Sequence, residues 1–229
     1  MKDILLLHGA IGSKAQLEPM ALLLKEKFTV HLLNLPGHGG EPFPSGGFSI
    51  EVFADAVIKW LDEKGIEQIC IFGYSMGGYV AMMLAKKYPQ RVEKIITLAT
   101  KFDWNEAVAA KEIKMLQPEI IEEKIPAFAA ELARRHFPLN WKDQLMYTQN
   151  MLLSLGIRNA LALADYKEIN TPCLLMLGDK DKMVSLQETA DVYAQIPQAS
   201  LAVLPQMQHP IEKADNVLLK FHLERFLLT

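Results

Sequence analysis

Residues 69–78, Ile-Cys-Ile-Phe-Gly-Tyr-Ser-Met-Gly-Gly, set a serine between two glycines where an apolar run gives way to a helical pattern. The pentapeptide Gly73-Tyr74-Ser75-Met76-Gly77 suits a sharp strand-to-helix turn, in which a Cβ two positions either side of the serine would crowd its neighbours. Such a turn holds the Ser75 hydroxyl at the end of a sheet, facing a reactant. A serine hydroxyl is a weak nucleophile at neutral pH, and a base must take its proton as it attacks. Of the six histidines, His209 is suited to this, because it follows the apolar run 200–204 and precedes the last helical pattern. In a parallel sheet that loop lies at the same carboxyl edge as Ser75, where open α/β sheets bind their ligands. The remaining candidates read as structural: His31 within a strand, His222 in mid-helix, and His136 in a helical stretch.

A third group should hold the imidazole in the required tautomer and stabilise its charged form. Residues 177–184, Leu-Gly-Asp-Lys-Asp-Lys-Met-Val, offer Asp179 and Asp181 after a strand and in the chain order Ser, acid, His. Asp181 lies further out on that loop and is preferred; Asp179 remains the alternative. An acyl-transfer intermediate also needs two donors for its oxyanion. The backbone N–H of Met76, at the start of the helix, is one. The loop Leu7-His8-Gly9-Ala10-Ile11-Gly12-Ser13 supplies the other through the Ala10 N–H, with Gly9 letting the chain turn and His8 supporting the loop from beneath. This chemistry calls for no metal and no organic cofactor.

The elements that must position these groups are legible as an alternation. Continuous apolar runs at 4–7, 29–33, 68–72, 94–98, 173–177 and 200–204 read as strands buried on both faces. Helical spacing covers 17–27, 76–87, 185–194, 213–228 and a segment after Ser49, where Ile50, Phe53, Ala54, Val57, Ile58 and Leu61 repeat at three and four. Strand and helix in turn predict an α/β fold with a mostly parallel sheet of about six strands and helices on both faces. The alternation breaks at 102–167, which carries helical segments at 107–116, 125–136 and 142–155 and no strand. That stretch is too long for a loop and is expected to be an inserted helical cap on a core of 1–101 and 168–229.

Composition narrows the partners. With 229 residues, 50% hydrophobic and 22% charged, the chain is of ordinary globular make-up and long enough for one large core. A net charge of -3 offers no basic surface for a phosphate backbone, so nucleic acid is not an expected partner and small molecules are. No run approaches the roughly 18 apolar residues of a membrane span. The apolar stretch near Met1 is four residues long with no small-residue cleavage site after it, which predicts a first strand and no signal peptide. Cys70 and Cys173 each sit inside an apolar run and are expected as buried thiols, consistent with a cytoplasmic setting.

Taken together, His8-Gly9, Leu35-Pro36-Gly37-His38-Gly39, the serine turn, Gly178-Asp179-Lys180-Asp181 and His209 identify the chain as resembling the α/β-hydrolase superfamily over essentially its whole length. The resemblance implies the α/β-hydrolase fold, without the family's usual two leading strands. It also favours Asp181, because an aspartate three residues after such a glycine commonly serves as the acid. Asn34 stands where the family often has aspartate, in a turn that takes no part in the reaction. The phrases Leu-His-Gly-Ala-Ile-Gly-Ser and Gly-Tyr-Ser-Met-Gly-Gly are also similar to those of the menaquinone-pathway lyase branch, which typically carries an arginine where Tyr79 stands. Arg134 and Arg135 are the basic pair in the cap that can recruit an anion.

Three functions follow as expectations. The leading one is a serine hydrolase cleaving a small carboxylic ester or thioester through Ser75, His209 and Asp181. The second is carbon–carbon hydrolysis or elimination of the lyase type, with the same side chains acting chiefly as a base. The third is a ligand-binding or receptor role on the same scaffold. Phe102, Trp104, Met115, Phe128, Phe137, Trp141, Met146 and Met151 give the cap an apolar stock, which suits an apolar acyl or aryl group.

Overall fold

One parallel sheet of six strands organises the chain, in the order β2-β1-β3-β4-β5-β6. The strands are β1 (Lys2–Leu7), β2 (Phe28–Leu33), β3 (Ile69–Tyr74), β4 (Val92–Leu98), β5 (Cys173–Gly178) and β6 (Ala199–Leu204). The computed structural model describes all 229 residues. Strand side chains alternate between faces, and runs of apolar residues pointing both ways give two cores. Ile4, Leu6, Cys70, Phe72, Leu174 and Met176 pack with α1 (Glu18–Leu24) and α9 (Asn216–Leu228). Leu5, Leu7, Ile71, Ile95 and Leu175 pack with α2 (Ile50–Lys64), α3 (Met76–Lys87) and α8 (Leu186–Tyr193). Each fully buried Leu or Ile contributes about 2 kcal/mol of transfer free energy. Burial on both faces holds for β1, β3, β4 and β5 but not for the edge strands. Residues of β2 and β6 are mostly half-exposed, because each has a neighbour on one side only.

The strand order sets the site. The chain turns from β1 to β2 on one side and then crosses to β3 on the other, so the loops after β1 and β3 diverge from adjacent strand ends. Leu7 pairs with Gly73 at that point, and a crevice opens above it.

Between β4 and β5 the chain forms α4 (Glu106–Lys114), α5 (Pro118–Lys124), α6 (Pro126–His136) and α7 (Trp141–Ile157). Asn105 and Asn140 cap α4 and α7 by accepting from the N–H groups of Val108 and Lys142, both at 3.0 Å. Ile121, Ala129, Leu132, Trp141 and Leu145 form a separate small core here, with Ile11 of the β1 loop packed against it.

Several boundaries differ from those the sequence predicts. The expected helix 17–27 splits into a 3-10 turn at Lys14–Leu17 and the shorter α1. The last helix starts at Asn216 rather than 213, because the Asp215 side chain accepts from the N–H groups of Val217 and Leu218 and fixes the first turn there. Helix α5 was not expected: Pro118 reads as a breaker but occupies the first helical position, where its missing N–H costs nothing.

Candidate active site

Ser75 caps α3 with φ 51° and ψ -117°, a conformation rare for a residue with a side chain. The turn is possible because its neighbours are glycines: a Cβ on Gly73 would overlap the backbone of Gly77 and Gly78, and one on Gly77 would overlap the Leu7 carbonyl. Hydrogen bonds hold the strained residue in place. Its N–H donates to Leu98 O at 2.8 Å, and its carbonyl accepts from Thr100 Oγ1 at 3.0 Å.

His209 and Asp181 meet across the ends of β5 and β6. The backbone docks the two loops through Asp179 N–H to Leu204 O and Lys180 N–H to Met207 O, both 3.0 Å. His209 Nδ1 then lies 2.8 Å from Asp181 Oδ2. The other carboxylate oxygen, Oδ1, accepts from the N–H groups of Met183 and Val184 at 2.8 and 2.9 Å, and the Asp181 side chain is wholly buried. Burial alone would raise the Asp181 acid, but the His209 hydrogen bond and the two backbone donors outweigh it and hold it below its usual range. An ionised acceptor on Nδ1 fixes the proton there and leaves Nε2 as the basic nitrogen. Asp179 pairs with the neighbouring Lys180 instead, at 3.3 Å. Tyr74, the second residue of the serine turn, donates its hydroxyl to the His209 carbonyl at 3.0 Å. The pentapeptide itself thus ties the histidine loop to the serine. Ser75 and His209 line one cavity without a hydrogen bond between them; such contacts commonly tighten only with substrate bound.

Ala10 follows β1 beside the serine turn, and its N–H has no acceptor within the chain. Met76 opens α3, where the first N–H groups lack intrahelical partners. His8 lies beneath the loop with Nε2 accepting from Leu35 N–H at 3.1 Å, so Nδ1 carries the proton and donates to Gly9 O at 2.8 Å. Burial pushes this imidazole down to about 4. Ile11, with φ 52°, is held from the inserted helices: its carbonyl accepts from Arg135 Nη1 at 2.9 Å and from His136 Nε2 at 3.1 Å. His136 Nδ1 accepts from Gly39 N–H at 3.2 Å, and burial brings this ring too to about 4. Arg135 also pairs with Glu131 and, at 3.9 Å, with Glu212 in the turn after His209. Arg134 is exposed.

These groups open into a cavity of about 810 Å³. Of the apolar stock in 102–167, Trp104, Met115, Phe128 and Met151 line it, joined by Leu152 and Leu155. The others do not: Phe102 packs edge-on to Tyr79 and Tyr166, Trp141 lies in the small core, and Phe137 and Met146 are exposed. Tyr79 also lines the cavity, but its hydroxyl accepts from Leu161 N–H at 3.0 Å and lies 3.5 Å from Leu161 O. Sequence reasoning missed the roles of Tyr74, Thr100, Arg135 and His136. Tyr74 is marked by its position inside the motif and Arg135 as half of a basic pair, but neither signal points to the contacts found. No three His, Cys, Asp or Glu side chains cluster as a metal site would require, and no helix is long and apolar enough to cross a membrane.

Comparison with known proteins places this geometry. A family model described as alpha/beta hydrolase fold matches residues 3–118, just over half of the chain. The pimeloyl-[acyl-carrier protein] methyl ester esterase of Vibrio campbellii is 26% identical over 232 residues, covering 90% of this chain and 87% of that protein. The 2-(acetamidomethylene)succinate hydrolase of Mesorhizobium japonicum is 24% identical over 234 residues, covering 92% and 82%. The crystal structure of the enol-lactonase from Burkholderia xenovorans superposes with a TM-score of 0.79 at 18% identity, over 100% of this chain and 92% of that one. The chain belongs to the alpha/beta hydrolase fold family and is one of its enzymes.

Proposed function

We propose that the protein is a serine hydrolase of small carboxylic esters or thioesters, with Ser75 as nucleophile, His209 as base and Asp181 as its orienting acid. Ser75 Oγ attacks the carbonyl carbon while His209 Nε2 takes the hydroxyl proton. The oxyanion lies against the N–H groups of Ala10 and Met76, whose donors stabilise charge that exists only in the transition state and intermediate. Collapse of the intermediate breaks the bond to the leaving oxygen or sulfur, which takes the proton from His209. Water, deprotonated by the same imidazole, then releases the acid and restores Ser75. Residues 102–167 act as a helical cap over the carboxyl edge of the sheet, excluding water and admitting an apolar acyl or aryl group.

The observation that carries this reading is the 2.8 Å contact of His209 Nδ1 with a buried Asp181, in the same cavity as a serine held at φ 51°. Esterase and hydrolase names among the relatives agree with it. No observation favours the lyase reading: the position of the lyase branch's arginine is Tyr79, whose hydroxyl is engaged with Leu161. The test is p-nitrophenol release from esters between acetate and decanoate by the protein and by Ser75→Ala. Saturable turnover confined to the unmodified protein is the expected result. Equal background traces from both would remove the ester-hydrolase reading.

A further inference from the structure

The three side chains assigned to the reaction sit on backbone that is anchored unequally. Ser75 is bonded on both sides, to Leu98 O and from Thr100 Oγ1. Asp181 donates its N–H to Gly178 O at 3.1 Å, and the carbonyl of Met183, whose N–H meets the carboxylate, accepts from Lys101 Nζ at 2.7 Å. His209 has no backbone support of that kind. Its loop leaves β6 through Gln206 at φ 57°, a strained value for a residue with a side chain, and docks through Met207 O. Beyond that point the backbone of Gln208 and His209 makes a single hydrogen bond, whose donor is the Tyr74 hydroxyl, 3.0 Å from His209 O.

Tyr74 itself is firmly held. It ends β3 opposite Leu98, and its side chain is 8% exposed within the core that also contains Phe72 and Met207. Burial pushes its phenol up, so the hydroxyl remains a donor at neutral and mildly alkaline pH. The ring reaches a second loop as well. A Cβ on Gly9 would lie 2.9 Å from Tyr74 Cε1, so the ring edge rests directly against the turn that carries Ala10. We propose that Tyr74 is a positioning residue for the hydrolysis: its hydroxyl sets the reach of His209 toward Ser75, and its ring sets the height of the Gly9-Ala10 turn over the same serine. This rests on the ester-hydrolase reading and adds to it that the side chain preceding the nucleophile controls the rate through two other loops. A reacting group 1 Å out of place can lose about a hundredfold in rate, so one loop tether can matter to turnover.

The test compares the unmodified protein with Tyr74→Phe, which removes the hydroxyl and keeps the ring, and Tyr74→Leu, which removes both. Two readings are taken: steady-state kinetics on the p-nitrophenyl ester between acetate and decanoate that is turned over fastest, and residue-resolved amide hydrogen exchange. Tyr74→Phe should lower kcat roughly tenfold with KM within about twofold of its original value, because the tether acts on the step that moves the proton. Exchange should quicken at Lys180, Lys213 and Ala214, whose N–H groups donate to Met207 O, Pro210 O and Ile211 O in the histidine loop, and stay unchanged through β3, β4 and α3. Tyr74→Leu should lower kcat by roughly tenfold more and also quicken exchange at Gly12, whose N–H donates to Gly9 O. An unchanged kcat in Tyr74→Phe, a loss carried by KM, or exchange that quickens throughout the sheet would overturn the role given to the hydroxyl while ester hydrolysis stands. Unchanged exchange at Gly12 in Tyr74→Leu would overturn the role given to the ring. If the unmodified protein turns over none of the esters, the underlying reading fails instead.

Discussion

The sheet and the inserted helices reach stability by different routes. In the sheet Thr97 is the one polar side chain buried within a strand, two large cores flank it, and strand order alone brings the loops after β1 and β3 together. The helices between β4 and β5 share a small core of five residues, add buried side chains to one of the large cores only through Met151, Leu152 and Leu155 of α7, and leave Phe137, Met146 and Ile157 exposed. Apart from that packing of α7, polar contacts tie them to the loop after β1, where the Ile11 carbonyl accepts from both Arg135 and His136. One region therefore fixes the reacting groups by topology, and the other adjusts them through a few polar contacts. Substitutions in the first should abolish activity, whereas those in the second should grade it.

The largest effect belongs to the reacting groups. Ser75→Ala and His209→Ala should each lower kcat on a p-nitrophenyl ester by roughly 10⁶, as removal of the serine or the histidine of such a set does. Asp181→Asn should follow at roughly 10⁴, because the amide presents the wrong partner to Nδ1. Asp179→Asn, on an exposed ion pair with its neighbour, should change kcat by no more than about twofold. Steady-state rates of the four variants decide between the two aspartates.

The inserted helices come next. Arg135→Ala should lower kcat by roughly tenfold to a hundredfold, the value of one charged hydrogen bond, with KM much less affected. Arg135 holds the Ile11 carbonyl in the loop to which the proposed mechanism assigns an oxyanion donor, and such a donor acts in the transition state. A loss confined to KM would instead make Arg135 a substrate contact. Met151→Ala should enlarge the cavity and move the preferred acyl chain one or two carbons upward, a change worth only a few-fold in kcat/KM for any single ester.

The smallest effect is on stability. Burial holds His8 and His136 at about 4 against 6.5 for a free imidazole. The unfolded chain thus binds more protons between those values, and stability present above 6.5 is lost as pH falls toward 4. Thermal unfolding between these limits should show a falling midpoint, with a shallower slope in His136→Gln. Each kcal/mol moves the midpoint of a domain this size by about 2–4 °C.

The same contrast explains what could be read in advance. Continuous apolar runs and Gly-x-Ser-x-Gly are local patterns, so the strands, their parallel arrangement and the serine turn were legible to within a residue or two at their ends. His209 and the two aspartates were placed by the rule that loops after parallel strands share one edge. What sets Asp181 rather than Asp179 against His209 includes two backbone donors, Met183 and Val184, which no spacing reveals. In 102–167 amphipathic spacing marked helices but not their facing. Trp104 and Met151 line the cavity while Phe137 and Met146 face solvent, and all four read alike in sequence. Arg135 was legible as half of a basic pair; its contact with Ile11 depends on how α6 meets the β1 loop, a long-range event.

The central claim is that Ser75 forms a covalent bond during turnover. Intact-protein mass spectrometry after exposure to an alkyl fluorophosphonate tests it without any assumption about substrate. A single phosphonyl adduct should form, map by peptide analysis to Ser75, be absent from Ser75→Ala and form far more slowly in Asp181→Asn. An unmodified protein, or an adduct on another residue that persists in Ser75→Ala, would contradict the nucleophile assignment and with it the acyl-transfer mechanism.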